Sequence, residues 1–304
     1  MQRSEVAEIT GIASRDLAKA QAAAQQLGIP KVYGSYEEML ADPEIDAVYN
    51  PLPNHMHVPY SVRAAEAGKH VLCEKPLAMD AAEARKLMAA RDRCGVIMGE
   101  AFMVQTHPQW VRTRELVREG RIGQLRSAVG HFGFMNVDPA NTRNIRKYGG
   151  GALFDIGCYP IKTSRMVFGE EPVRVSATLV RDRAFDTDIL TSAVLEYPSG
   201  HCVFSVSTQT FGNQSMKFFG TAGRIEVPIP FNPPSMETSR IRVNDEAEEF
   251  APCDQYTIQG DAFSHAIRNG GVPSVPLEDS LRNMMVIDAV FRSAESGKWE
   301  AVEA

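Results

Sequence analysis

Short apolar runs alternating with capped helices fill the first hundred residues, and no feature of the chain restricts its fold more. Val6–Ala13, Val32–Tyr33, Ile45–Tyr49, Lys69–Cys73 and Val96–Phe102 read as strands. Between them lie helix signals. Asp16 caps a helix over Leu17–Leu27 that Gly28 stops. Ser35 with Glu38 is a capping box for a brief helix ending near Asp42–Pro43. His57–Ala67 is a helix stopped by Gly68, and Asp80 with Glu83 opens another that ends at Gly95. Strands that alternate with helices build a parallel sheet covered on both faces.

Beyond about residue 120 the texture changes. Ser127–Met135, Val173–Val180, Leu190–Tyr197, Cys202–Thr208 and Ser215–Gly220 are strand-like, and Pro198-Ser199-Gly200 joins two of them as a hairpin. Helices are expected after Gly149-Gly150-Gly151, around Asp261–Asn269 and over Leu277–Ser296. The Pro228–Pro234 stretch reads as a surface loop. The expectation is an α/β chain of two domains. A dinucleotide-binding parallel sheet spans 1–103. An α+β domain with a large, mostly antiparallel open sheet spans 104–304.

The composition excludes several classes. A net charge of −6 argues against nucleic acid or an anionic membrane as partner. No apolar run reaches the roughly 18 residues of a membrane span. Five scattered cysteines without a C-x-x-C pair fit a reducing, cytoplasmic setting and no cysteine zinc site. His55 and His57 lack a third ligand, so no metal is expected.

Ligands of an open parallel sheet bind at the carboxyl ends of its strands. Those ends are Ala13-Ser14-Arg15, Asn50 through His57, and Glu74-Lys75-Pro76. Pro76 biases Lys75 toward extended backbone, and a positioned ammonium can hold a ribose hydroxyl or lower a neighbour's pKa. Asp155 and Tyr159 are four apart and would share a helix face, although Pro160 disturbs that helix. Read alone, the pair is a cap and a core tyrosine.

Three motifs in order, Pro53-Asn54-x-x-His57, Glu74-Lys75-Pro76 and Gly149-Gly150-Gly151-Ala152-Leu153-x-Asp155-x-Gly157-x-Tyr159, resemble the Gfo/Idh/MocA oxidoreductases. The likeness is strongest to the branch holding glucose–fructose oxidoreductase, NADP-dependent xylose dehydrogenase and dimeric dihydrodiol dehydrogenase. It runs from about Glu5 to the terminal helix. It implies a Rossmann domain and an α/β domain whose open sheet joins protomers as a homodimer or homotetramer. It implies that Lys75 meets the nicotinamide ribose and tunes proton transfer, that Tyr159 is the general acid/base, and that Asp155 orients substrate. Leu52, Asn54, His57, Glu74 and Arg143 match positions near the cofactor. The expected activity is hydride transfer between NADP and a CH–OH group of an aldose, polyol or dihydrodiol.

Ser14, Arg15 and Lys19 favour NADP over NAD, since a hydroxyl, a guanidinium and an ammonium suit a 2′-phosphate. The chain departs from the family at Val104-Gln105-Thr106, where the branch often has Tyr-Arg, and at its front. No G-x-G-x-x-G occurs, and Val6–Ala13 corresponds to the fold's second strand. The sequence-level expectation is a misassigned start or a real loss. The alternative reading is a catalytically silent, cofactor-poor paralogue or truncated fragment that binds a sugar or a partner protein. A non-sugar reductase of the same fold is a third.

Overall fold

A computed structural model describes residue 1 and residues 3–303. The first part runs β1 (Gly11–Ala13), α1 (Leu17–Leu27), β2 (Lys31–Tyr33), α2 (Tyr36–Ala41), β3 (Ala47–Asn50), α3 (His57–Glu66), β4 (His70–Glu74), α4 (Ala81–Cys94) and β5 (Met98–Ala101). The second part runs α5 (Pro108–Arg118), β6 (Leu125–Met135), α6 (Cys158–Phe168), β7 (Arg174–Arg181), β8 (Asp188–Tyr197), β9 (Gly200–Ser207), β10 (Gln209–Gly220), β11 (Arg224–Val227), β12 (Ser239–Val243), β13 (Glu246–Phe250), α7 (Gln255–Asn269), α8 (Leu277–Ser296) and β14 (Glu300–Ala301).

Capping chemistry sets the helix ends. Asp16, Ser35 and Asp80 each accept a backbone N–H three residues on, and Gly28 and Gly95 close α1 and α4 in the left-handed region. The parallel strands form two pieces, β1 beside β2 and β3-β4-β5, with no ladder between β1 and β3. An apolar cavity of about 750 Å³ lies between them, walled by Ile12, Leu27, Ile45 and Val48 among others. The first strand is shorter than the expected Val6–Ala13. The hydroxyl of Ser4 takes the N–H groups of Val6 and Ala7, which turns the chain before it can pair.

The second part is one nine-stranded sheet, ordered β13-β12-β11-β10-β6-β9-β8-β7-β14. All pairs are antiparallel except β6 with β9. Helices α6 and α8 cover one face, and Ala128, Cys202, Phe204 and Phe218 point into the core beneath them. On the other face Val129 and Val203, register partners, are both exposed.

The Pro228–Pro234 stretch is a loop with Ile229, Asn232 and Pro234 exposed, as expected, but it turns Pro230 and Phe231 inward as a wall of the core. Phe231 is 0% exposed there and stacks on Phe132, ring centroids 4.9 Å apart. Trp110 Nε1 donates to the Pro230 carbonyl at 2.7 Å, and Gln109 Nε2 donates to that of Ile229 at 3.0 Å. Phe231 N–H in turn donates to Gln214 Oε1. Polar side chains from α5 and β10 hold a segment whose prolines alone suggested solvent. No helix among the described residues is long and apolar enough to cross a membrane.

Candidate active site

The end of β4 faces the start of α6 across the seam between the two parts. Before α6, residues Leu153–Gly157 form a π-helical turn. Pro160 has no N–H, so the helix is one backbone donor short at that turn. The Lys75 ammonium supplies a donor there: Nζ lies 2.6 Å from the Asp155 carbonyl oxygen. It also lies 3.4 Å from Asp155 Oδ1 and 4.8 Å from the centroid of the Tyr159 ring. The other carboxylate oxygen, Oδ2, accepts from Arg143 Nε at 2.7 Å. One carboxylate thus sits between two cations.

Burial works against the Lys75 charge, but Tyr159 and Asp155 override it and hold the ammonium's pKa above its ordinary value. Burial raises the Tyr159 phenol well above its usual range, and Lys75 only partly offsets this. At neutral pH the site therefore holds a charged lysine beside a protonated tyrosine. The Tyr159 ring is fixed edge-on by Phe102 at 5.1 Å and tilted against Phe231 at 5.2 Å, and its hydroxyl faces Met103 Sδ at 3.5 Å, a weak acceptor.

Two cavities meet at this cluster. One, about 790 Å³, is walled by Tyr159, Phe132 and Phe231 and rimmed by the amides Asn136, Asn213 and Asn232. The other, about 390 Å³, lies over the β3 and β4 ends and reaches Leu52, Asn54, Tyr148, Gly149 and Gly150. Lys75, Glu74, Arg143 and Asp155 line both. Gly149 closes tightly on the β3 loop: φ is +80°, and a Cβ there would stand 2.7 Å from that of Asn54. Asn54 Nδ2 also donates to the Gly149 carbonyl at 2.8 Å.

His57 is buried, with Nδ1 2.8 Å from the Pro76 carbonyl and Nε2 2.6 Å from that of Leu52. It ties the two strand-end loops together. Burial pulls its pKa down, against the opposing pull of both carbonyls. Glu74 accepts from Tyr49 Oη at 2.5 Å.

Ser14, Arg15 and Lys19 stand apart. The Ser14 hydroxyl accepts the Asp16 N–H, and Lys19 pairs with Asp16 at 3.7 Å. None of the three lines either cavity.

Sequence reasoning passed over several residues that build the site. Phe231 and Phe132 wall it, and Glu100 lies beneath it. Glu100 Oε1 accepts the Leu77 N–H at 2.9 Å, bracing the turn that carries Lys75. Burial raises the Glu100 carboxyl to about 7. The apolar strand around Glu100 gave the one available signal, a lone acid where the pattern calls for a buried residue.

Residues 1–102 match a family model described as an oxidoreductase family with an NAD-binding Rossmann fold, GFO_IDH_MocA. Residues 110–226 match the GFO/IDH/MocA C-terminal domain. An uncharacterized oxidoreductase of Rhizobium meliloti is 48% identical over 99% of this chain and 93% of its own. A D-xylose 1-dehydrogenase (NADP(+)) of Haloferax volcanii is 39% identical, over 95% and 90%. Among solved structures, a 3-ketoreductase from Actinomadura kijaniata, in complex with NADP and TDP-benzene, superposes with a TM-score of 0.87 at 33% identity, covering 94% of this chain and 89% of that one.

Proposed function

From the premise that the chain belongs to the Gfo/Idh/MocA oxidoreductase family, we propose that it is an NADP-dependent dehydrogenase of an uncharged aldose, polyol or diol. One observation carries this reading. Lys75, Asp155 and Tyr159 meet where a cavity over the ends of parallel strands opens into one rimmed by amides. Amides offer both donors and acceptors, which suits hydroxyl groups. The cations of the larger cavity, Lys75 and Arg143, are both engaged by Asp155. That pairing favours a neutral polyhydroxyl compound over a nucleotide-linked sugar.

The smaller cavity fits a nicotinamide ribose. Gly149 and Gly150 pack directly on Asn54 and the Arg143 backbone, closing one wall of the cavity that the Lys75 ammonium also lines. Lys75, Asn54 and Glu74 would hold that end of NADP, and Ser14 with Arg15 and Lys19 the 2′-phosphate. When bound, the dinucleotide supplies the hydride acceptor or donor. The protein's own residues handle position and proton. Asp155, held by two cations, presents its remaining acceptor capacity to a substrate hydroxyl. Tyr159, protonated and beside Lys75, gives its proton to a carbonyl oxygen in reduction and takes it back from a hydroxyl in oxidation. Phe132 and Phe231 keep bulk water from that exchange.

A second reading, a sugar-binding protein without turnover, is favoured by the gap between β1 and β3, whose walls are apolar. Titrating nicotinamide fluorescence with NADPH and NADH, followed by a panel of aldoses, polyols and diols, separates them. Saturable NADPH binding with sugar-dependent turnover is expected. No binding of either cofactor would sink the dehydrogenase.

We also infer that the open face around Val129 and Val203 meets a second copy of the chain. Light scattering should give at least twice the monomer mass, and Val203→Lys should halve it. A monomer at micromolar concentration would count against the pairing.

A further inference from the structure

The run Gly149–Gly151 leads into the segment that carries Asp155 and Tyr159, and its third glycine has a neighbour from far along the chain. At Gly151 φ is +126°, and a Cβ there would stand 2.0 Å from Asp188 Oδ1. Asp188 opens β8 and is 2% exposed. Its Oδ2 accepts the Leu153 N–H at 2.7 Å and the Thr191 hydroxyl at 2.9 Å. Leu153 is the first residue of the π-helical turn that contains Asp155.

Several other helices of this chain are capped locally. Asp16, Ser35, Asp80 and Asp254 each precede the helix that they cap. A local cap stabilises a helix end but travels with it, so it says nothing about where the helix sits. A cap reaching across 35 residues from a sheet strand does the opposite. It ties the helix start to the sheet, fixing its height and its rotation. Burial raises the Asp188 carboxyl to about 6, and the Leu153 and Thr191 donors pull it back only in part. A solvent-facing cap would satisfy the same N–H without that desolvation.

We propose that Asp188 is a positioning residue for the reaction. It pins the Leu153–Tyr159 segment to the sheet at the height where Lys75 Nζ meets the Asp155 carbonyl. It lines neither cavity and acts only through Asp155 and Tyr159. The turnover consequence rests on the dehydrogenase reading; the placement of Tyr159 does not.

The test therefore has two arms. In the first, ¹³Cζ-tyrosine NMR on the protein alone follows the Tyr159 resonance, assigned through Tyr159→Phe. In the second, kcat, KM for sugar and NADPH affinity are measured. Asp188→Ala removes the acceptor. It should shift or broaden the Tyr159 resonance and lower kcat about 10- to 100-fold, the scale of a misplacement near 1 Å, with NADPH affinity within about twofold. Asp188→Asn keeps an oxygen for the Leu153 N–H and should recover most of kcat. A purely structural cap would lower the melting temperature and leave kcat of the folded protein alone. If the alanine variant does not fold, Thr191→Val decides, since it removes one of the two donors that hold the carboxylate while preserving volume. It should move the resonance and lower kcat severalfold. A parental Tyr159 resonance in folded Asp188→Ala, or in Thr191→Val, overturns the proposal whether or not a sugar substrate has been found.

Discussion

The ends of β4 and β1 were both candidates for dinucleotide contact, yet they are built in opposite ways. At β4, the Lys75 side chain is 14% exposed and meets a carboxylate and a carbonyl from the second part of the molecule. At β1, the Lys19 side chain is 82% exposed and meets only its own helix cap. A charge kept from water must be answered by fixed partners, so its geometry is set before any ligand arrives. A charge left in water can be repositioned at little cost and is strongly screened. The first design suits a group that must act on a particular atom. The second suits one that need only attract a phosphate.

Substitutions should separate the two ends sharply. The largest effect belongs to the buried end. Tyr159→Phe should lower kcat by roughly 10²–10⁴, the usual reach of general acid–base help, while NADPH titration stays near parental. Full turnover in that variant would remove the hydroxyl from the chemistry.

The buried end should also carry a pH dependence of stability. Glu100 braces the Lys75 turn, and burial raises its carboxyl from 4.5 to about 7. Between those values the folded chain keeps a proton that the unfolded chain has released. Stability should therefore fall as pH rises through this window, by on the order of 3 kcal/mol from this group. Glu100→Gln should match the parent at pH 4 and gain on it by pH 8. Urea midpoints that move in parallel at both pH values would contradict this.

The smallest effects belong to the exposed end. Arg15→Glu should weaken NADPH by about 10- to 100-fold, the worth of one charged hydrogen bond, and leave NADH binding nearly as it was. Thermal stability should stay within about 0.5 kcal/mol, as for most surface changes. If NADPH and NADH weaken together, the β1 end does not read the 2′-phosphate.

What the sequence disclosed follows the same division. Local chemistry was legible. Asp16, Ser35, Asp80 and the glycines at 28 and 95 marked helix ends where the structure has them. The alternation in β8 and β9 gave both strands and the hairpin between them. Long-range chemistry was not legible. Asp188 lies 35 residues from the N–H that it caps, and nothing in its neighbourhood announces a helix elsewhere. The strands β12 and β13, SRIRV and EAEEF, carry too much charge to stand out, because β13 is the edge of the sheet and β12 lies next to it, each with charged side chains turned to water. Helix α5 was passed over although Pro108 at its first position was a fair signal. Phe231 was hidden by its proline neighbours, whose burial depends on Gln109 and Trp110 over a hundred residues away.

Pro160 has a consequence for anyone wishing to reshape this protein. The carbonyl that receives Lys75 belongs to a turn short of a donor because one residue contributes no hydrogen. Each of the other nineteen amino acids would return that hydrogen, so similarity of size or polarity gives no protection. In a saturation library, position 160 should therefore lose turnover even with alanine, and bulkier choices should lose more because the site is buried against Gly130, while a packing position such as Ile161 admits graded replacements.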